Sequence, residues 1–149
     1  MTEYLKVDGH DVYCYEWENE GEAVVLLHGG MSQTAHWATS IVPDLEDYHV
    51  FAYDRSSHGF TAYREESINF KYQLREAIAY LETIVKEPAH IIGWSDGGII
   101  GMMIAIERPE LVKSLVLIGA NFHYNGTMGD FEIGEISAED RAEYAIYSP

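Results

Sequence analysis

Along the chain, residues 23–27 (Ala-Val-Val-Leu-Leu) are apolar at every position, with Gly21-Glu22 before them and His28-Gly29-Gly30 after. A strand wetted on one face alternates apolar with polar residues. A continuous short run is expected instead of a strand covered on both faces, as in a parallel sheet. Residues 49–53, 89–92 and 114–118 repeat this short form. Between the second and third of these strands, Phe70, Leu74, Ala77, Ile78, Leu81 and Val85 recur at helical spacing. Ser67 or Asn69 can cap that helix, and Pro88 lies beyond its end. A further helix is expected over 35–45, where Pro43 removes a hydrogen bond and imposes a kink. Strands alternating with helices predict an α/β fold built from βαβ units. Residues 4–7 and 12–17 are β-rich and flank Asp8-Gly9-His10-Asp11, which predicts an antiparallel hairpin ahead of the parallel strands.

The segment Gly93-Trp94-Ser95-Asp96-Gly97 joins the strand at 89–92 to an apolar run beyond it. G-x-S-x-G between a buried strand and a helix describes a nucleophile elbow, a turn so sharp that the serine is strained and its hydroxyl is exposed at the sheet edge. Glycines two residues to either side relieve the crowding of that turn. Gly97, Gly101 and Ala105 then form a small-residue stripe that lets the helix approach the sheet, until Arg108-Pro109 ends it. A phosphate-cradling turn is the rival reading. It is disfavoured because G-x-G-x-x-G is absent and Asp96 places a carboxylate in the first helical turn. A Ser95 with a purely structural role is the other alternative.

His28-Gly29-Gly30-Met31 follows another buried strand, where a loop can aim backbone N–H groups at a developing oxyanion. Gly30 is the first candidate donor of that loop and Met31 the second, with the Asp96 N–H as partner donor. His28 is read as ordering the loop rather than as the catalytic base. His36, His58 and His123 each follow a predicted strand and are the remaining candidates for a base. His10 falls in the hairpin turn, and His49 and His90 enter strands.

Together these residues resemble the α/β-hydrolase fold family, in its smaller esterase and hydrolase branch with H-G-G and G-W-S-x-G-G. The wording Gly-Trp-Ser-Asp-Gly-Gly is similar to valacyclovir-hydrolase-like members. Asp54-Arg55-Ser56-Ser57-His58-Gly59 resembles the family loop D-R-x-G-H-G, with Ser57 in place of a glycine. The resemblance runs over residues 4–120. It implies the N-terminal portion of a mostly parallel sheet in spatial order 1-2-4-3-5-6, with helices on both faces and the last strands lacking. It also implies hydrolysis of a small ester or amide through an acyl-enzyme on Ser95. In the family the acid and then the histidine follow the serine in chain order. Residues 121–149, with a short helix expected over 137–146, resemble the start of a lid, so no acid and no base are carried over to this chain. Asn121 stands where some members place the acid, but an amide cannot stabilise an imidazolium by charge. The chain is then either a fragment or a protein that works differently, and a non-catalytic fragment or interaction module is the alternative function.

Composition narrows the partners. Twenty-five acidic against nine basic residues give a net charge of −16, which repels phosphate backbones and anionic membranes. Nucleic acid and membrane are therefore not expected partners. Cys14 is the only cysteine, which excludes an internal disulfide and a thiolate cluster, and its β-rich surroundings predict a buried, inert thiol. No metal or organic cofactor is implied. With no basic-then-apolar leader and no long apolar run, a cytoplasmic location is expected. The strand at 114–118 should have an uncovered edge, which predicts self-association.

Overall fold

The computed structural model describes residues 1–66 and 69–122. Six strands form one sheet in the order β1-β2-β4-β3-β5-β6: β1 (Thr2–Val7), β2 (His10–Trp17), β3 (Ala23–Leu27), β4 (His49–Tyr53), β5 (Ala89–Trp94) and β6 (Val112–Ile118). β1 pairs antiparallel with β2, and β2 antiparallel with β4; the β3–β4, β3–β5 and β5–β6 pairs are parallel. Strand order and directions are those expected from the sequence. The hairpin turn is tighter than read: Asp8 and Gly9 both take positive φ (48° and 76°), so His10 belongs to β2 rather than to the turn.

Helices cover both faces. On one, α2 (Phe70–Tyr80) and α3 (Asp96–Glu107) bury Leu74, Ala77, Ile100 and Ile104 against Val25, Leu27, Phe51 and Ile91. On the other, the short α1 (Ala35–Ser40) sets Trp37 against Val24, Leu26, Val50 and Ala52. α1 stops before Pro43, which opens a separate 3-10 turn over Val42–Asp44, so the proline divides the expected 35–45 helix instead of kinking it. Asn69 is the cap of α2, accepting from the Tyr72 N–H at 3.0 Å. The expected helix to Val85 continues from α2 as a π-helical turn over Leu81–Val85, closed by Lys86 in the left-handed conformation with φ 63°. Cys14 is buried, and burial pushes its thiol up to about 12, in keeping with an inert core residue. Of the expected lid start at 121–149 only Asn121 and Phe122 are among the described residues, and the expected helix over 137–146 lies outside them.

β3 and β5 are neighbours, yet the helices that follow them lie on opposite faces, α1 on one and α3 on the other. Connections that diverge from adjacent strand ends leave a crevice at the carboxyl edge of the sheet. Ser95 and the 28–31 loop sit there.

Candidate active site

Ser95 links β5 to α3 with φ 51° and ψ −117°, outside the regions that L-residues ordinarily occupy. The close approach of helix to sheet dictates the flanking glycines. A Cβ on Gly93 would stand 2.5 Å from the Gly97 carbonyl oxygen and 2.6 Å from the Gly98 Cα. A Cβ on Gly97 would stand 2.6 Å from the His28 carbonyl oxygen and would overlap the Leu27 carbonyl. The elbow is held from below by the Ser95 N–H, which donates to the Ile118 carbonyl of β6 at 2.8 Å. The Ser95 carbonyl accepts from the Gly98 and Ile99 N–H groups at 2.9 and 3.1 Å. The N–H groups of Asp96 and Gly97 have no acceptor among the described residues, as expected of the first turn of a helix.

The 28–31 loop lies against this elbow. A Cβ on Gly29 would be 3.3 Å from Ser95 Cβ and 3.0 Å from the Trp94 ring, and one on Gly30 would overlap the Asp96 carboxylate. Gly30 and Asp96, the two expected oxyanion donors, are thus neighbours. Met31 has φ 51° and an exposed side chain.

His28 is buried, and its tautomer follows from its partners. Nε2 accepts from the Arg55 N–H at 3.1 Å, so the proton sits on Nδ1, which donates to the Gly29 carbonyl at 2.7 Å. Burial, with the nearby Arg55 charge, holds its pKa well below the ordinary histidine value. His28 is therefore a neutral brace of the loop, as read from the sequence. His58 donates from Nδ1 to the Ser56 carbonyl at 3.1 Å, and burial lowers its pKa too. His36 pairs through Nδ1 with Ser32 Oγ at 2.9 Å. Neither is hydrogen-bonded to Ser95, and His123 lies outside the described residues.

A buried polar network beneath the loop escaped the sequence reading. Arg55 Nη2 donates to the Gly29 carbonyl at 2.7 Å while Nη1 donates to Gln73 Oε1. Glu76 accepts from the Ser56 N–H at 3.1 Å and from Ser56 Oγ, and Ser56 Oγ accepts from Tyr72 Oη at 2.8 Å. Asp54 accepts from the N–H groups of Thr34 at 2.8 Å and Phe60 at 3.0 Å. The signal available in sequence was Gln73, Glu76 and Tyr80, which recur at i, i+3, i+7 beside the apolar stripe of α2. Ser57, in the position of the family glycine, has φ 67° and a buried hydroxyl with no partner among the described residues.

An α/β sheet with a strained serine at a strand-to-helix turn and a glycine loop beside it defines a hydrolase-type scaffold. The alpha/beta hydrolase fold family model matches residues 22–135, and the chain belongs to that family. It is 30% identical over 102 residues to a putative carbamate hydrolase, RutD, of Pseudomonas syringae pv. syringae, covering 68% of this chain and 39% of that protein. It is 33% identical over 121 residues to the esterase Rv0045c of Mycobacterium tuberculosis, covering 79% of this chain and 39% of that one. Among solved structures, a bacterial membrane phospholipase A described as a virulence factor superposes with a TM-score of 0.76 at 27% identity, over 81% of this chain and 40% of that one. The chain thus spans about two fifths of the length of these relatives. No helix among the described residues is long and apolar enough to cross a membrane.

Proposed function

We propose that this chain carries the nucleophile and oxyanion hole of a serine hydrolase acting on small ester or amide substrates. Ser95 Oγ would attack the substrate carbonyl, giving up its proton to solvent water as the C–O bond forms, and the leaving alcohol or amine would take a proton from the same solvent. The oxyanion would be held by the N–H groups of Gly30 and Asp96, with Met31 as the alternative loop donor. Loss of the alcohol or amine leaves an acyl-enzyme on Ser95, which water hydrolyses. The observation that carries this reading is Ser95 at φ 51°, walled by Gly93 and Gly97 where no Cβ fits and set beside Gly29 and Gly30. Strain of this kind is retained where surrounding structure enforces it and function uses it.

No described histidine is hydrogen-bonded to Ser95, and this favours the second reading, a non-catalytic fragment or interaction module that keeps the scaffold without the reaction. Even without a triad, an oxyanion hole and binding leave a rate roughly 10³–10⁴-fold over water in a serine hydrolase. A fluorophosphonate probe separates the readings: Ser95 Oγ displaces fluoride at phosphorus and the label stays on the protein. Labelling lost in Ser95→Ala supports the hydrolase, and equal labelling of both chains removes Ser95 from the role.

A further inference from the structure

The Gly29–Gly30 peptide has a problem that its own residues cannot solve. Both positions are glycine, and both are crowded: a Cβ on Gly29 would press on the Trp94 ring and on Ser95 Cβ at 3.0 and 3.3 Å, and one on Gly30 would displace the Asp96 carboxylate. Glycine restricts its backbone least, so the plane between two of them in a loop is easy to rotate. An oxyanion donor on that plane nevertheless has to be fixed before the substrate arrives, because preorganisation is what makes such a donor effective.

The fixing comes from the carbonyl side. The Gly29 carbonyl accepts two hydrogen bonds, from His28 Nδ1 and from Arg55 Nη2, both at 2.7 Å, and these occupy both of its lone pairs. A trans peptide is planar with C=O and N–H opposed, so a carbonyl locked toward the buried side turns the Gly30 N–H the other way. That N–H has no acceptor among the described residues. The His28 bond is local, made to the next residue. The Arg55 bond ties the loop to the rest of the fold, because Arg55 follows β4 and its other amino group is held by Gln73 of α2. Arg55 is 1% exposed and makes no ion pair among the described residues. A buried guanidinium without a carboxylate partner is costly and calls for a reason other than stability.

We infer that Arg55 is the positioning residue of the oxyanion loop: through the Gly29 carbonyl it sets the plane of the 29–30 peptide and so aims the Gly30 N–H at the space beside Ser95. The inference rests on the reading of Gly30 as an oxyanion donor. Its test therefore has one arm that does not depend on activity.

In the ¹⁵N-labelled chain, the order parameter and residual dipolar coupling of the Gly30 amide are measured for the native protein, Arg55→Met and Arg55→Lys. The native amide is expected to be rigid, at about 0.85, and the Arg55→Met amide to fall below about 0.6 or to change orientation, with the β-sheet amides unmoved. In parallel, the maximal rate of Ser95-dependent fluorophosphonate labelling should drop about 10-fold in Arg55→Met, part of the roughly 10²–10³-fold that loss of a whole donor costs, while the probe's apparent affinity is retained. Arg55→Lys keeps the charge without the fork and should restore neither fully. A folded Arg55→Met with an unchanged Gly30 amide overturns the inference, as does full recovery of labelling in Arg55→Lys with the amide still loose, which would make the charge alone sufficient. If Arg55→Met does not fold, Gln73→Leu releases the Nη1 clamp and leaves Arg55 in place; an unchanged Gly30 amide there also overturns it. Absence of Ser95-dependent labelling in the native chain would count against the hydrolase reading, while the amide measurement still decides the positioning.

Discussion

Substituting Gly97 by alanine tests how tightly α3 is pinned to the sheet. The new methyl would overlap the Leu27 carbonyl oxygen and stand 2.5 Å from its carbon and 2.6 Å from the His28 carbonyl oxygen. Non-bonded heavy atoms settle near 3.5 Å, so the helix must retreat by more than about 1 Å. The obstacle is backbone at the end of β3, a strand paired on both sides, so the helix and not the strand gives way. Overpacking costs roughly 1–3 kcal/mol, and an obstacle made of backbone sets this case at the upper end; less the at most about 1 kcal/mol gained from alanine's helix propensity, the net loss is about 2 kcal/mol. Gly101→Ala is the control on the same stripe. Its methyl would meet Leu115 Cδ1 at 2.9 Å, the far end of a side chain on the edge strand, which can rotate away. Packing cost and propensity gain should then roughly cancel.

Urea unfolding followed by tryptophan fluorescence measures the difference. With a slope of about 1–3 kcal/mol per M, 2 kcal/mol moves the Gly97→Ala midpoint down by roughly 1 M relative to Gly101→Ala. Equal midpoints for the two variants would refute the reasoning, since they would show that β3 yields as easily as a leucine methyl. The displacement falls directly on the elbow. A misplacement of about 1 Å at reacting groups can cost about 10²-fold, so Ser95-dependent labelling should fall far more in Gly97→Ala than in Gly101→Ala.

Other predictions follow from the same geometry. Ser57→Gly removes a left-handed L-residue costing about 1–2 kcal/mol together with a buried unpartnered hydroxyl; less the entropy of an added glycine, it should stabilise by about 1 kcal/mol, and a lowered melting temperature would contradict this. His28 is held neutral by burial and by Arg55, so below about pH 6.5 the unfolded chain binds a proton that the folded chain refuses. Stability should therefore fall with decreasing pH toward the lowered folded value, by about 1.4 kcal/mol per unit, and urea midpoints from pH 7 to 5 should lose part of their slope in His28→Gln; parallel curves would exclude His28 as the source. On β6, Val116, Leu117 and Ile118 are exposed and β5 is the only partner strand among the described residues, so the chain should self-associate more as salt screens its −16 charge within about 8–10 Å. Size-exclusion chromatography with light scattering across a salt series checks this, and a monomer at every concentration would rule it out.

The sheet was legible because parallel strands leave an unambiguous mark: residues 23–27 have no polar position, and every one is buried. Ser95 was legible for a related reason, since the glycines at 93 and 97 record a steric demand that no other residue meets. The change from α2 to a π-helical turn at Leu81 left no trace, because both conformations keep Leu81 and Val85 on the core side. The network of Arg55, Gln73 and Glu76 was hidden differently. Its members lie on α2 and on the loop after β4, about 20 residues apart: Gln73 and Glu76 alone read as ordinary surface polar residues, and Arg55 only as part of a loop resembling the family's. Only the β4 end meeting α2 makes them partners, and pairing is what makes burial of such groups affordable.

The two contributions of a serine hydrolase site differ in how much of the fold they need. Dipoles aimed at an oxyanion require only that a few backbone groups be rigid, and in the site we propose the strand ends would supply the rigidity: the loop after β3 carries Gly29 and Gly30, Ser95 follows β5, and β6 holds the Ser95 N–H through Ile118. Proton transfer requires a side chain brought within hydrogen-bond reach from another loop. On the proposed reading the first contribution is therefore local to β3, β5 and β6 with the Arg55 clamp beneath them, and the second is not. It follows that disturbing β6, remote as its edge is from the substrate side, should act on Ser95 itself. Weakening the Ile118 end of that strand removes the acceptor that holds the Ser95 N–H, and with it one of the constraints that keep the serine at φ 51°.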